Sequence, residues 1–293
     1  MGTKEPRLQA VTRLGLRSHA FARHVYQKIA AVTIGALFVS GPGKRLRASV
    51  ARRHPPFATP DVEVAIVAHV YYLDLFDEIL ECRSMLPGTV PLHVTVPSDR
   101  LEEAERLLGN VPGLTIHPCE NRGRDIAPFV MLLQSGILDG FDAVLKLHTK
   151  RSPHLLDGEV RRKLLFAMLC GERNAAIRTV AMFEDPTTGI VGWEACYRTA
   201  PPYWMANEAR VREVSARMNA AASVRLGFFE GSMFWFRPSA LAAVNDLALS
   251  MDDFESENGQ VDGTLHHTLE RCFTIAAWAR GFVVRDLQGR RLP

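Results

Sequence analysis

The chain has 293 residues, 47% of them hydrophobic, with 35 Lys and Arg against 32 Asp and Glu and a formal net charge of +3. This composition excludes an intrinsically disordered chain, a collagen-like polymer and a small disulfide-stapled scaffold, and leaves a globular protein able to bury one large core or two modest ones. The charge is uneven: residues 1–60 hold eleven Lys and Arg and a single acid, Glu5, so they carry +10 and leave −7 for residues 61–293.

The basic segment comes first. Its apolar run, Ile29 to Val39, is shorter than the roughly 20 residues needed to cross a bilayer, and it begins too late, after too many charges, to read as a signal peptide. Two readings stay open for this helical extension: a helix packed on the body with a solvated basic face, or peripheral contact with an anionic membrane surface. The acidic body argues against nucleic acid as a partner. The five cysteines (Cys82, Cys119, Cys170, Cys196 and Cys272) form no CxxC pair and sit in apolar surroundings, so they are expected to be buried free thiols in a reducing compartment. These features place the chain in the cytoplasm, in solution or at the inner face of the cell membrane.

The Pro- and Gly-containing stretch from Gly41 to Pro60 reads as a linker or domain edge, dividing residues 1–60 from a single domain over residues 61–293. Strand and helix then alternate. Val62–Val70 predicts a buried strand, Leu73–Met85 a helix, Pro91–Val96 a strand, Arg100–Leu108 a helix and Leu114–Pro118 a strand. Further helices are expected over Ile126–Ser135, Gly158–Leu169, Asn174–Phe183, Asn207–Met218, Ser239–Leu247 and Asp262–Arg280. Further strands are expected at Ala143–Leu147, Gly189–Gly192, Ser232–Arg237 and Phe282–Arg285. Such alternation predicts an α/β fold: a parallel sheet with helices on its faces, whose ligands sit beyond the carboxyl ends of the strands.

Four motifs fall at strand ends or helix starts. In Asn121-Arg122-Gly123-Arg124-Asp125, two guanidinium groups flank a glycine, which suits a phosphate or carboxylate ligand; a plain helix entry capped by Asp125 is the alternative. In Lys146-Leu147-His148-Thr149-Lys150, alternation turns Lys146, His148 and Lys150 to one side, either as a cationic wall for a diphosphate or as the face of an exposed edge strand. Glu230 and Gly231-Ser232-Met233-Phe234-Trp235-Phe236-Arg237 offer either aromatic core packing or a platform for a sugar ring. In Glu257 to Arg271, Asp262 stands near His267, so the carboxylate either caps the last helix or deprotonates a hydroxyl, with Glu257 and Glu230 as substitutes.

Taken in this order, the motifs resemble the rhamnan synthesis protein F family of bacterial polysaccharide glycosyltransferases, over about Val62 to Val284. The resemblance implies transfer of a sugar, rhamnose from a dTDP-activated donor in the best-known members, onto a growing cell-surface glycan or lipid-linked glycan. It also implies a glycosyltransferase A-like, Rossmann-type sheet. The Asn121–Asp125 segment then occupies the nucleotide-sugar loop, and Leu147-His148-Thr149 stands where many such enzymes carry an Asp-x-Asp motif for Mg2+ or Mn2+. The departure from that motif puts metal dependence in doubt and leaves no residue assigned as a metal ligand. A sugar-phosphate transferase, or a non-catalytic glycan- or nucleic-acid-binding protein using Tyr197 to Trp204, would share some of these features.

Overall fold

The computed structural model of the chain describes residues 32–51, 57–149, 151 and 158–293. The chain divides into two compact units, residues 1–53 with 152–164 and residues 54–151 with 165–293.

In the first unit, residues 32–39 are helical and a second helix, α1, spans Gly41–Ala51. The Pro/Gly stretch expected to be a linker is therefore partly helix. Pro42 sits in the first turn, where its missing N–H costs nothing. A Cβ on Gly43 would come within 2.3 Å of the Leu37 carbonyl oxygen, so glycine lets the two helices approach. Arg47 closes the junction by donating to the Phe38 carbonyl, its guanidinium 4.0 Å from the Phe38 ring centre. Ile34, Leu37 and Leu46 remain exposed. Pro55 and Pro56 lie outside the described residues. No helix among the described residues is long and apolar enough to cross a membrane.

The second unit is built on a seven-stranded sheet. Its first four strands are β1 (Val64–His69), β2 (Leu92–Pro97), β3 (Leu114–Cys119) and β4 (Ala143–His148). After β5 (Thr188–Gly192), β6 (Tyr197–Arg198) and β7 (Phe228–Phe229) form a separate two-stranded ribbon, and β8 (Phe234–Phe236) and β9 (Val283–Asp286) complete the sheet. The order is β3-β2-β1-β4-β8-β5-β9, with β8 antiparallel to both neighbours and every other pairing parallel. A Rossmann-like sheet of this kind reverses its strand order between β1 and β4. That reversal opens a crevice at the carboxyl edge.

The period-two pattern sorts side chains into two cores. Ala65, Val67, Val144, Phe234 and Phe236 face one core, and Ile66, Ala68, Leu145, Leu147 and Trp235 face the other. Helices α2 (Phe76–Ser84) and α3 (Leu101–Leu108) cover the second face, whereas α4 (Ile126–Gln134) lies on the first. Cys170 ends α5 (Gly158–Cys170) and, with α6 (Arg173–Ala181), contributes to the second core; α7 (Glu208–Arg217), α8 (Ala242–Asn245) and α9 (Leu265–Ala279) cover the first. Helix α9 starts three residues later than expected. Gly263 is left-handed (φ +80°) and Thr264 takes the N-cap position, which leaves Asp262 in the loop before it. The helix expected over Ser239–Leu247 is a 3-10 turn followed by the four residues of α8.

One expectation about the cysteines is overturned. Cys82 and Cys170 are joined in a disulfide between α2 and α5, and Cys119, Cys196 and Cys272 remain as thiols. The partners are 88 residues apart and meet only because α2 and the end of α5, from Leu165 on, share one core, so no spacing rule reveals them. Cysteine content accordingly gives no support to a reducing compartment. Burial pushes the thiols of Cys119 and Cys272 up to about 12, which makes both poor nucleophiles. Alkylation of the denatured, unreduced chain should add three adducts by intact mass and five after reduction, and reduction should cost about 2–5 kcal/mol in denaturant unfolding. Five adducts without reduction would disprove the bond.

Candidate functional site

The expected motifs meet beside the switch point. Strands β1 and β4 end level with each other, His69 opposite His148, and Thr149 N–H donates to the His69 carbonyl at 2.9 Å. From β2, the Thr95 hydroxyl lies 3.0 Å from His69 Nδ1. Burial, only partly offset by attraction to Asp125 and reinforced by His148 and Lys146, lowers the His69 pKa to about 4, so the imidazole is neutral at pH 7.

Lys146 is 1% exposed, and its ammonium donates to Asp125 Oδ2 at 2.6 Å, to the Ser232 carbonyl at 2.8 Å and to Ser232 Oγ at 3.2 Å. Those three bonds use every N–H it has. His148 Nδ1 stands 3.2 Å from the same Asp125 oxygen. Lys146 and His148 do project to one side of β4, as alternation requires, but they face a carboxylate of the chain itself. The expected cationic wall is thus neutralised from within. Burial alone would raise the Asp125 pKa; attraction and hydrogen bonds from His148 and Lys146 outweigh it and hold the carboxyl well below its ordinary range. Asp125 occupies the N-cap position of α4 without capping it, because its oxygens are turned to β4. Ser232, itself buried, sits at φ +51° after Gly231 at φ +90°, a left-handed pair that aims its carbonyl at Lys146.

The arginines occupy an outer layer. Gly123 (φ +59°) and Arg124 (φ +54°) are consecutive left-handed residues, and a Cβ on Gly123 would lie 2.6 Å from Ala127 Cβ and 2.7 Å from the Phe254 ring. Only glycine fits that turn. It presents Arg122 to Asp252 at 3.2 Å and Arg124 to Glu257 at 3.1 Å, while Asn121 is exposed at the loop's start. Arg124 also donates to the Gln260 carbonyl at 2.6 Å.

At the mouth of α9, Asp262 accepts from Ala206 N–H at 2.8 Å and Asn207 Nδ2 at 2.5 Å, with the Arg271 guanidinium 4.0 Å away. Burial would raise its pKa, but these donors, the Gly263 N–H and the Arg271 charge together lower it. His267 packs against His266 with ring centres 4.1 Å apart and the planes tilted by 39°, and has Nδ1 2.7 Å from the Thr264 hydroxyl. Burial, then His266 and Arg124, bring its pKa to about 4. His266 is lowered by burial and feels Arg124, Glu257 and Asp125, which ties the start of α9 electrostatically to the arginine loop.

Three expected contacts are not in this cluster. Trp235 is fully buried, paired with Leu145 across the sheet and donating to the Leu169 carbonyl, so no sugar can stack on it. Arg237 belongs to the opposite edge. Because β8 runs antiparallel to β4, its far end lies beside the start of β4, where Arg237 pairs with Asp142 at 3.2 Å and donates to the Thr188 and Phe183 carbonyls. Glu230 pairs with Arg198 at 2.6 Å near the β6–β7 ribbon. Lys150 lies outside the described residues.

The place of an Asp-x-Asp motif does not fit a divalent ion. Leu147 is in the core, His148 faces Asp125, and the Thr149 hydroxyl accepts from Tyr72 N–H at 2.9 Å. No cluster of three or more His, Cys, Asp or Glu able to hold a metal occurs among the described residues.

The sequence motifs did not point to His69, Thr95, Asp252 or Glu255, and they offered Glu257 as a substitute base rather than as the partner of Arg124. Asp252, Glu255 and Glu257 follow one another closely in an acidic run, and that run was the available signal. Lys146→Met should leave Asp125 buried without its main partner and cost about 3–5 kcal/mol in urea unfolding. The Asp125 pKa is depressed in the fold, so its contribution is complete above the unfolded carboxylate pKa, near 4, and disappears as pH falls further. A urea midpoint unchanged by Lys146→Met at neutral pH would refute the pair's structural role.

Residues 46–282 match the family described as Rhamnan synthesis protein F, beginning earlier than Val62 and inside α1. Two curated relatives, each called Uncharacterized protein WxcX, come from Xanthomonas campestris pv. campestris strains B100 and ATCC 33913; both are 31% identical over 242 residues, which is 80% of this chain and 34% of theirs. The chain therefore spans about a third of the length of these relatives. With the family match running across most of its length, the chain belongs to the rhamnan synthesis protein F family.

Proposed function

We propose that the chain is a glycosyltransferase domain of glycosyltransferase A-like layout, moving a sugar from a nucleotide-diphosphate donor onto a growing bacterial polysaccharide. Rhamnose on a dTDP carrier is the donor that family membership favours. The observation that carries this reading is the placement of Arg122 and Arg124 on a glycine turn at the carboxyl edge, beside the β1/β4 switch point, above a floor whose charges are already paired. An anion arriving there meets guanidinium forks whose partners are partly exposed surface carboxylates, whereas Lys146 is committed to the core.

In this reading an acceptor hydroxyl attacks the anomeric carbon, its proton passes to a carboxylate, and the bond from that carbon to the diphosphate oxygen breaks. The departing nucleoside diphosphate carries its charge to Arg122 and Arg124. Asp262 is the carboxylate best placed to take the proton. Asp125, Glu230 and Glu257 have cations at 2.6, 2.6 and 3.1 Å, while Asp262 has neutral amide donors and its nearest cation at 4.0 Å. Asp262 alone of these four carboxylates lacks a close cation, and a single base of this kind favours inversion at the anomeric carbon. The acceptor is a glycan or lipid-linked glycan, and the basic residues 1–60, with Ile34, Leu37 and Leu46 exposed, are proposed to keep the domain at the membrane surface where such acceptors lie.

Asp262→Asn should lower turnover by about 10²–10⁴-fold while donor affinity, read by thermal shift, stays unchanged. Because its pKa is depressed, Asp262 stays ionised as pH falls through the ordinary carboxylate range, so the acid limb of kcat/KM should lie below that range. Wild-type turnover in Asp262→Asn would move the base elsewhere. Release of a nucleoside monophosphate would replace glycosyl transfer with sugar-phosphate transfer.

A further inference from the structure

Residues 252–263 run as a strap from the arginine loop to the mouth of α9, and its two ends are held differently from its middle. At the first end Phe254 is buried, Asp252 pairs with Arg122, Ser256 bridges to Arg122 through the backbone, and Glu255 accepts from Leu265 N–H at 2.9 Å and pairs with Arg210 at 2.5 Å. At the other end Asp262 is held by Ala206 and Asn207. Between them, the hydrogen bonds and ion pairs described for residues 257–261 that reach beyond the strap all end on Arg124: Nε to Glu257 Oε2 at 3.3 Å, Nη2 to Glu257 Oε1 at 3.1 Å, and Nη2 to the Gln260 carbonyl at 2.6 Å.

The middle also carries its own pivots. Gly259 (φ +72°) has open space where a Cβ would stand, and Gly263 is left-handed at φ +80°. Within the strap, Gln260 folds back on Asn258 N–H and the Ser256 carbonyl, bonds that do not tie it to the rest of the domain. Val261 is 85% exposed, which leaves no apolar burial to keep this part of the strap down.

A carboxylate laid across Nε and Nη2 of an arginine copies the two-oxygen edge that a phosphate presents to the same fork. We propose that Glu257 is an internal stand-in for a phosphate-type oxyanion on Arg124, and that such a ligand displaces it and releases residues 257–261 about Gly259 and Gly263. Ligand capture and strap release are then one event, and Glu257, a substitute base on sequence grounds, acts as a competitor for the site. The proposal rests on the reading of Arg124 as a diphosphate-binding residue.

The test uses the full chain with inorganic pyrophosphate as probe, following affinity by calorimetry and backbone amide exchange by mass spectrometry. Glu257→Gln keeps the side-chain shape and removes the charge. It should bind pyrophosphate roughly three- to tenfold more tightly than wild type. Faster exchange over residues 257–261 is expected in the unliganded variant and in wild type saturated with pyrophosphate. Equal affinities with unchanged exchange would overturn the strap and leave the anion site standing. Slower exchange on adding pyrophosphate would overturn it as well, since the strap would then be closing over the ligand. Absence of binding to both proteins would instead overturn the assignment of Arg124 to a diphosphate, and the strap with it.

Discussion

The ion pair between Asp125 and Lys146 is the constraint on which the carboxyl edge depends. It joins three segments distant in sequence: the start of α4, the body of β4 and, through the Ser232 carbonyl and hydroxyl, the entry to β8. Burying an ammonium is costly unless every proton finds an acceptor, and here each one does. The same bonds leave Lys146 no proton to offer a ligand. Because Arg124 immediately precedes Asp125, the buried pair also fixes where the left-handed turn emerges and hence where the guanidinium group of Arg124 is presented.

Two layers of charge with different energetics follow. The inner layer, Asp125 with Lys146 and His148, is largely withdrawn from water, and Lys146 cannot change partners without leaving its charge exposed to the core. In the outer layer, Arg122 and Arg124 face Asp252 and Glu257 with all four side chains partly exposed, and such pairs are worth only about 0–1 kcal/mol each. The site is therefore rigid where it must hold a shape and easily rearranged where it would meet a solute. Neutral His69 and His267 carry this further, since neither adds fixed positive charge at neutral pH.

Much of the fold was legible because hydrophobic period is a local property. The alternation of strands and helices from Val64 to His148 shows in the spacing of Val64, Ile66 and Ala68 against Ala65 and Val67, and the structure follows it. The one-sidedness of Lys146 and His148 was legible for the same reason. What they face was not, because Asp125 reaches them through a crossover that spacing does not encode. Pairing at a distance accounts for the other corrections too: Cys82 with Cys170, Arg237 with Asp142, and Trp235 sealed beneath the Leu169 carbonyl. Local chemistry misled at Asp262, where Gly263 halts the helix before the acid can join it, at the Pro/Gly stretch after Gly41, which is partly helix, and over Ser239–Leu247, where a 3-10 turn takes the first half of the expected helix.

Strand β8 is only three residues long, yet it separates two duties. At its start Ser232 completes the coordination of Lys146 on one edge of the sheet; just past its end Arg237 binds Asp142 and the Thr188 carbonyl on the other. Phe234 and Phe236 meanwhile point into one core and Trp235 into its opposite. Inserting or deleting a single residue within β8 would turn the aromatics on one side of the change to the opposite face and detach one edge or the other at the same stroke. The segment is thus a spacer of fixed measure between the two edges of the sheet.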